Sequence, residues 1–427
     1  MASLLLISGF TGLILIGVPI AFAMVVAVAV AIFLGGTMPL AIIGQRMGSG
    51  VENFTFLAVP LFILAGTIME HSGISRRLVN LGRVLVGHLP GGMGQVVIVS
   101  EIFFSGISGA SLSDASAIGS LMHPALRRSG YQAGQATGLV AAACAIGVLI
   151  PPCLAMVVMG AVAGVSVTAL FIAGLVPGLI MALALMVLVY VQARRGTLPG
   201  GEAAASWRET FVAMRESVIP LMMPVIIFGG ILGGIFSPTE AAAVAVLYAL
   251  IVGVLVYREI TLRSFYDMLV ETAKVTGAVG VIVGAASGFS VLLALDGAPV
   301  SIAAAVEALS SDPIVFLIVV NLLFLLFGAL LDGIPALLLF VPILLPVATT
   351  LGIDPLHFTL LSIASLGVGM ILPPIGIMLL VICSITNTPI AEASRAMMPY
   401  LAILLVCLLV IIAFPWTVVA LPRAFGF

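Results

Sequence analysis

Long apolar stretches follow one another along the whole chain, and only short polar connections separate them. A helix that crosses the ~30 Å hydrocarbon core of a membrane needs about 20 mostly apolar residues. Stretches of about that length or longer predict membrane spans near residues 3–34, 54–70, 170–193, 217–236, 239–257, 273–295 and 398–420. Less regular apolar segments lie near residues 94–125, 136–163, 314–350 and 358–386. The pattern therefore predicts an all-α polytopic membrane protein.

Composition narrows the class further. Hydrophobic residues make up 63% of the 427 residues and charged residues only 7%, whereas ordinary soluble domains carry about 25% charged residues. So few charges cannot cover the surface of a soluble enzyme, and no basic patch suits a nucleic acid. The first span lacks a basic start and is too long for a cleaved signal peptide, so we expect it to be retained. The four cysteines lie in apolar surroundings, which argues against a disulfide framework.

Basic residues cluster in four connections, which the positive-inside rule assigns to the cytoplasm. The clusters are Arg76, Arg77 and Arg83; Arg127 and Arg128; Arg194, Arg195, Arg208 and Arg215; and Arg258, Arg263 and Lys274. All four share one side only if segment 94–125 is a re-entrant hairpin, with its polar tip at Ser105–Ser116. The same reasoning makes segment 314–350 a hairpin from the opposite side. Because irregular backbone at membrane depth is tolerated only beside protein or a water-filled cavity, two such hairpins predict a cavity.

Glycine and proline residues recur at a fixed offset of 222 positions, which indicates an internal repeat. The coincident residues of the first copy are Gly106, Pro124, Gly130, Gly147, Pro151, Pro152 and Pro177. The extra span at 217–236 lies between the copies and would place the second copy upside down relative to the first. Inverted repeats whose discontinuous elements meet near the midplane are typical of secondary transporters.

A pair of prolines interrupts one helix in each copy of the repeat. The segment Gly147–Pro152 cannot be a continuous helix, because each proline lacks an amide donor and clashes with the preceding turn. The carbonyl groups left without helical partners suit a small hard cation, and the same holds for Gly369–Pro374. The alternative is a proline kink packed by its neighbours. Two breaks at repeat-related positions, each beside a polar hairpin, favour the cation site.

The two hairpin tips differ in chemistry. Ser105–Asp114 is rich in glycine and hydroxyl groups, and the amides that open its following helix favour an anion. The second tip, Leu331–Pro335, carries the single acid Asp332, which at membrane depth is a candidate functional residue. The alternative role for Asp114 and for Asp332 is an ordinary helix cap. Nucleotide-binding and hydrolase motifs are missing, and no histidine pair has metal-ligand spacing, so we expect gradient-driven transport rather than an enzyme.

Several motifs together resemble the large membrane subunit of TRAP (tripartite ATP-independent periplasmic) transporters. They are ENFTFLAVPLFILAG, FFSGISGASLSDASAIGSLMHPAL, IGVLIPPCLAMVVMG, VTALFIAGLVPG, FSPTEAAAVAVLYAL and LLDGIPALLLFVPILLPVATTLGIDPLHF. The resemblance implies an inverted-repeat, elevator-type fold of the ion-transporter superfamily with two re-entrant hairpins and two broken helices. It implies Na⁺ as the coupling ion, no organic cofactor, and uptake of a carboxylate across the bacterial inner membrane. The implied partners are a small four-helix membrane subunit and a periplasmic substrate-binding protein.

The resemblance also assigns site residues. The first sodium site would comprise Ser105, Ser108, Gly147, Ile150 and Pro152. The second would comprise backbone at Gly328, Gly369, Leu372 and Ile375. Substrate would lie near Ser108, Ser111, Asp114, Cys153 and Asp332. Cys153 and Met159 depart from the more polar residues usual in the family, and Leu372 replaces a threonine, so we expect a less polar pocket and a weaker second ion site.

We divide the chain into segments that follow the repeat. Scaffold helices and an amphipathic arm occupy 1–92, a first transport unit 93–165, a scaffold helix with the cytoplasmic connection 166–216, a linking helix 217–236, second-repeat scaffold helices and arm 237–312, a second transport unit 313–390, and a C-terminal scaffold helix 391–427. Three alternatives remain open: a free-standing sodium/dicarboxylate symporter, a channel, and a membrane-embedded enzyme. The tips lack the charged ring or carbonyl filter of a channel, and the spans lack a paired acid and base.

Overall fold

The computed structural model describes residues 2–35, 39, 41–108, 111–297, 312–331 and 333–427, and the regular structure in these ranges is entirely helical. The first half holds α1 (Ala2–Leu15), α2 (Ile20–Gly35), α3 (Ala41–Val51), a 3-10 turn (Phe54–Leu57), α4 (Ala58–His71), α5 (Ile74–Val86), α6 (Gly92–Ser108), α7 (Ser111–Arg128), α8 (Ala133–Gly147), α9 (Leu154–Ala163) and α10 (Val167–Arg194). The second half holds α11 (Trp207–Leu232), α12 (Pro238–Leu250) with a π-helical turn (Ile251–Val256), α13 (Leu262–Leu295), α14 (Pro313–Leu330), α15 (Gly333–Thr350), α16 (Pro355–Gly369), α17 (Ile377–Thr386), α18 (Ile390–Ala413) and α19 (Trp416–Ala424).

Eight helices in the described ranges are long and apolar enough to cross a membrane. They are Phe54–His71, Val167–Arg194, Trp207–Leu232, Pro238–Val256, Leu262–Leu295, Pro313–Leu330, Gly333–Thr350 and Ile390–Ala413. The predicted spans near 54–70, 170–193 and 239–257 agree with these helices to within a few residues. Two others begin earlier than predicted, because polar capping boxes start them: Ser206 with Glu209 begins α11, and Thr261 with Ser264 begins α13.

The predicted single span at 3–34 is wrong. The chain forms two helices, α1 and α2, that pack against each other. Gly17 adopts a left-handed conformation with φ 86°, and the amides of Gly17 and Val18 bond back to Ile14 and Leu13. Such a glycine terminates a helix, and the proline at position 19 follows it closely. The apolar pattern is continuous here, and only the Gly-Val-Pro sequence marks the break.

The predicted last span at 398–420 is also wrong in its limits. Helix α18 begins at Ile390 and ends at Ala413, and the short helix α19 begins at Trp416. Pro415 separates them, because a proline cannot continue a helix and restricts the residue before it. Arg423 of α19 forms an ion pair with Asp354 at 3.0 Å, which ties the C-terminal helix to the start of α16.

Each segment predicted to be a hairpin consists of two helices that pack together, α6 with α7 and α14 with α15. The first tip is shorter than predicted, since helical backbone includes residues 105–108 and 111–116. Helices α6 to α9 and α14 to α17 have boundaries related by the same offset of 222, within one residue at every end. The internal repeat therefore extends to the helices. The inversion of the copies, the re-entrant topology and the division into segments stay predictions.

Helices of the first half pack directly against helices of the second half at several places. Helix α4 packs on α12, and α13 packs on α2. Likewise α7 packs on α17, and α9 packs on α15. Each broken helix therefore contacts the hairpin of the other half, so the hairpins and the broken helices of both halves form one packed region.

Candidate functional site at the helix breaks

The first broken helix is interrupted around Pro151 and Pro152, as the sequence predicts. Helix α8 ends at Gly147, and α9 starts at Leu154 after the extended residue Cys153. The carbonyl of Gly147 accepts a hydrogen bond from the amide of Ile150 at 3.0 Å. Within the described part of the chain, no hydrogen bond reaches the carbonyl of Ile150. The break therefore leaves a main-chain oxygen free to accept a ligand.

The second broken helix has the same outline but a different hydrogen-bond pattern. Helix α16 ends at Gly369, and α17 begins at Ile377. The carbonyl of Leu372 accepts a hydrogen bond from the amide of Gly376 at 2.8 Å. Both proline pairs, 151–152 and 373–374, are joined by cis peptide bonds. The main-chain oxygen proposed from the sequence as a second-site ligand is thus already engaged within its own loop.

Ser105 lies against the first break. Its hydroxyl donates to Oε1 of Glu101 at 2.9 Å and lies 3.4 Å from Oδ2 of Asp114. A Cβ on Gly147 would overlap Ser105 Oγ and would lie 2.7 Å from Glu101 Oε1. Only glycine at position 147 lets the serine and the acid reach the end of α8. Three residues predicted from the sequence, Ser105, Asp114 and Gly147, therefore lie in one cluster. All three residues are buried.

The second predicted ion site shows a similarly close backbone approach. A Cβ on Gly328 would lie 2.6 Å from the carbonyl oxygen of Leu366, and one on Gly369 would lie 2.6 Å from that of Leu325. Gly328 and Gly369 thus meet where α14 crosses α16. The side chain of Ile375 is 44% exposed, so this end of the loop lies away from the buried crossing.

The remaining predicted residues fall into two groups. Ile150, Pro152 and Cys153 are buried beside the first break. The side chains of Ser108 and Ser111, and the whole of Asp332, lie outside the described residues. The structure therefore brings together six of the residues assigned to the first site and the substrate site, in the region around α6, α7, α8 and the start of α9. They are Ser105, Asp114, Gly147, Ile150, Pro152 and Cys153.

Reasoning from the sequence missed two acids that contact this region, Glu101 beside the site and Glu392 at the far end of α8. Glu101 lies one helical turn before Ser105 and is 2% exposed, although an acid within an apolar segment is itself a signal. Glu392 accepts a hydrogen bond from the amide of Gly134 at 2.8 Å and so caps α8 from the other repeat. No local pattern could reveal that second contact, because it joins residues 258 positions apart.

The two breaks are in contact. A Cβ on Gly367, two residues before the end of α16, would lie 3.0 Å from the carbonyl oxygen of Ala145 and would overlap Val148. Helices α8 and α16 therefore meet at their breaking ends. This arrangement concentrates irregular backbone and hydroxyl groups at one buried place between two long helix hairpins, which is typical of the ion and substrate sites of secondary transporters.

The fold and this site define a multi-pass membrane protein of the secondary-transporter class. The chain belongs to the family described as tripartite ATP-independent periplasmic transporter, DctM component, whose family model matches residues 7–417. The resemblance inferred from the motifs is thus confirmed. The chain is a large permease subunit of the bacterial inner membrane and not an enzyme. In this family the large permease works with a small permease and a substrate-binding protein.

Relatives span almost the whole chain. The sialic acid TRAP transporter large permease protein SiaM of Vibrio cholerae is 39% identical over 422 residues, covering 98% of each chain. The isethionate TRAP transporter permease protein DctMQ of Oleidesulfovibrio alaskensis is 37% identical over 98% of this chain and 65% of its own length. The C4-dicarboxylate TRAP transporter large permease protein DctM of Pseudomonas aeruginosa is 38% identical over 88% of each chain.

A solved structure shares the fold. The YdaH transporter of Alcanivorax borkumensis superposes with a TM-score of 0.61 over 89% of this chain and 88% of its own, at 17% sequence identity. The similarity shows that the helices described above share the fold of that structure.

Proposed function

We propose that this chain is the membrane subunit of a sodium-coupled importer of an organic acid that a periplasmic binding protein delivers. The observation that carries the proposal is the cluster at the first helix break, where Ser105, two buried acids and the carbonyl of Ile150 surround the end of α8. Oxygen ligands of this kind suit a small hard cation. The family membership is established, and the proposal goes beyond it by naming sodium as the coupling ion.

The first ion would bind between Ser105 and Ser108 of the hairpin and the carbonyls of Gly147, Ile150 and Pro152. The C-terminal end of α8 points its carbonyls at this place, so the helix dipole contributes negative potential. A cation bound there would compensate the buried acids beside it. Because a charge is costly to bury unpaired, ion binding would lower the free energy needed to carry this region across the membrane.

The second ion would bind near Gly328, Gly369, Leu372 and Ile375. Leu372 supplies no hydroxyl, and its carbonyl already accepts the amide of Gly376. We therefore infer a weaker second site than the first.

The substrate would lie between the hairpin tips, near Ser108, Ser111, Asp114, Cys153 and Asp332. The relatives named above carry sialic acid, isethionate or C4-dicarboxylates, which are all organic anions. The amides that open α7 face the same tip and would favour an anionic group. Cys153 and Met159 are buried and apolar in character, so the substrate would carry an apolar portion beside its acid.

Transport would follow an elevator movement of the hairpins and broken helices against the remaining spans, which a small four-helix subunit would hold in place. A free-standing symporter would need no binding protein, and a channel would need no saturable site. These alternatives make different predictions for the same assay.

The test is uptake into proteoliposomes that contain the chain with its small subunit, with and without the binding protein outside. We expect saturable uptake that requires both an inward sodium gradient and the binding protein. Uptake that persists when choline replaces sodium would refute the coupling. Uptake that persists without the binding protein would favour the free-standing symporter, and non-saturable flux would favour a channel.

A further inference from the structure

Glu101 is a buried acid beside the proposed first ion site, but it is not one of the ligands proposed for that site. It is 2% exposed, and both of its carboxylate oxygens have partners. Ser105 Oγ lies 2.9 Å from Oε1, and Cys144 Sγ lies 3.6 Å from Oε2. Ser105 follows Glu101 by one helical turn, where a serine ordinarily donates to the backbone carbonyl of the residue four positions earlier. Here the hydroxyl donates to the side chain of that residue instead.

The hydroxyl of Ser105 has one hydrogen and two lone pairs. That hydrogen cannot lie along both the 2.9 Å vector to Glu101 and the 3.4 Å vector to Asp114 Oδ2. Donation to Glu101 leaves the lone pairs of Ser105 directed at the other side, where Asp114 and the end of α8 lie. Two oxygens that approach without a hydrogen between them repel each other, and a cation between them removes the repulsion.

We propose that Glu101 is a positioning residue for the coupling cation, acting through Ser105. It holds the Ser105 hydrogen away from the site, so that the Ser105 oxygen presents its lone pairs to the cation. This inference rests on the proposed sodium coupling and names a residue that raises the affinity of the site for the ion.

The second repeat provides an internal comparison. The counterparts of Glu101, Ser105, Asp114 and Cys144 at the offset of 222 are Leu323, Phe327, Ala336 and Leu366. The same helix crossing is therefore built with four apolar residues in the second repeat. Packing does not require an acid at position 101, and a buried acid without compensation is destabilising. These four positions are polar in the first repeat and apolar in the second. The acid that directs a serine hydroxyl is therefore specific to the first break at these positions.

The test compares Glu101→Gln and Glu101→Asp with wild type in sodium-driven uptake, with Glu240→Gln as the matched control. Glu240 is an acid in the capping box that begins α12, and glutamine preserves such a cap. We expect E101Q to raise the half-saturating sodium concentration about tenfold or more, the size expected for loss of a charge-assisted hydrogen bond. The rate at saturating sodium stays near that of wild type. E101D gives a smaller increase, and E240Q gives none.

A second measurement separates positioning from a structural effect. Because Glu101 acts through Ser105, E101Q in a Ser105→Ala background should raise the half-saturating sodium concentration far less than it does alone. Half-saturation that is unchanged in E101Q, or an equal increase in both backgrounds, overturns the inference while leaving sodium coupling intact. If E101Q does not fold, E101D decides, and unchanged half-saturation in E101D overturns the inference. If wild type itself ignores sodium, the proposed function fails and this inference with it.

Discussion

The carboxylate of Glu392, at the start of α18, accepts a hydrogen bond from the amide of Gly134 in the first turn of α8, at 2.8 Å. The hydroxyl of Thr137 in the next turn donates to Thr388 at 2.9 Å. The first broken helix is thus held at its N-terminus by the end of the second repeat, at the opposite end from its proline break.

Replacement of Glu392 by alanine should destabilise the protein. The amide of Gly134 loses its acceptor, and the loss of a side-chain cap typically costs about 1 kcal/mol. We expect a lower midpoint of thermal unfolding for E392A in detergent, whereas E392Q, which keeps an oxygen acceptor, should remain close to wild type. Equal midpoints for all three proteins would show that this cap contributes no stability.

Replacement of Gly369 by alanine should be strongly destabilising. The added methyl group would lie 2.6 Å from the carbonyl oxygen of Leu325 and 3.0 Å from the Cα of Gly328, and both are backbone atoms that cannot swing away. Overpacking of this kind costs about 1–3 kcal/mol. Gly288 in α13 is the matched control, since a Cβ there meets no atom within 4 Å. Thermal unfolding in detergent should show a loss for G369A and none for G288A.

Removal of a hydroxyl from the first hairpin should weaken sodium dependence and uptake together. We expect this result for Ser108→Ala and for Ser105→Ala, because each change removes an oxygen ligand of the proposed first site. Ser362→Ala is the control, since Ser362 is a buried serine that donates one turn back, to the carbonyl of Phe358 at 2.8 Å. Sodium-driven uptake by S108A that equals wild type would mean that the first site is misassigned.

A hydroxyl added at the second break should strengthen the second ion site. Leu372→Thr supplies the oxygen that leucine lacks, and we expect the half-saturating sodium concentration to fall about twofold to tenfold, as for one added polar contact. Leu372→Val has the shape of threonine without its hydroxyl and should not produce this fall. Equal values for L372T and L372V would show that no ion binds near position 372.

Much of the architecture follows from the sequence because prolines and glycines act locally. Pro151 and Pro373 end their helices through missing amides and steric clash, so both breaks were predictable. The division of 3–34 into two helices was missed because the apolar pattern runs through Gly17. The early starts of α11 and α13 were missed because polar caps, such as Ser206 with Glu209, carry no hydropathy signal.

The candidate site was predictable only in part. Hydroxyls and paired prolines indicated the Ser105–Asp114 tip and the Gly147–Pro152 break as candidate ligand regions, and the resemblance to the TRAP family assigned Ser105 and Ile150 within them. The role of Glu101 depends on where its carboxylate points, and the different states of the Ile150 and Leu372 carbonyls depend on hydrogen bonds in the folded loops. These are properties of three-dimensional arrangement, which spacing along the chain does not determine.

The packing of α4 on α12, α7 on α17 and α9 on α15 has a consequence for biosynthesis. When the ribosome has completed α10, the helices of the first half still lack their permanent neighbours, which are encoded about 180 to 270 positions later. Until α17 emerges, lipid or the insertion machinery must shelter those faces. A nascent chain that stops between the halves is therefore an incomplete protein, and we expect quality-control proteases to remove it.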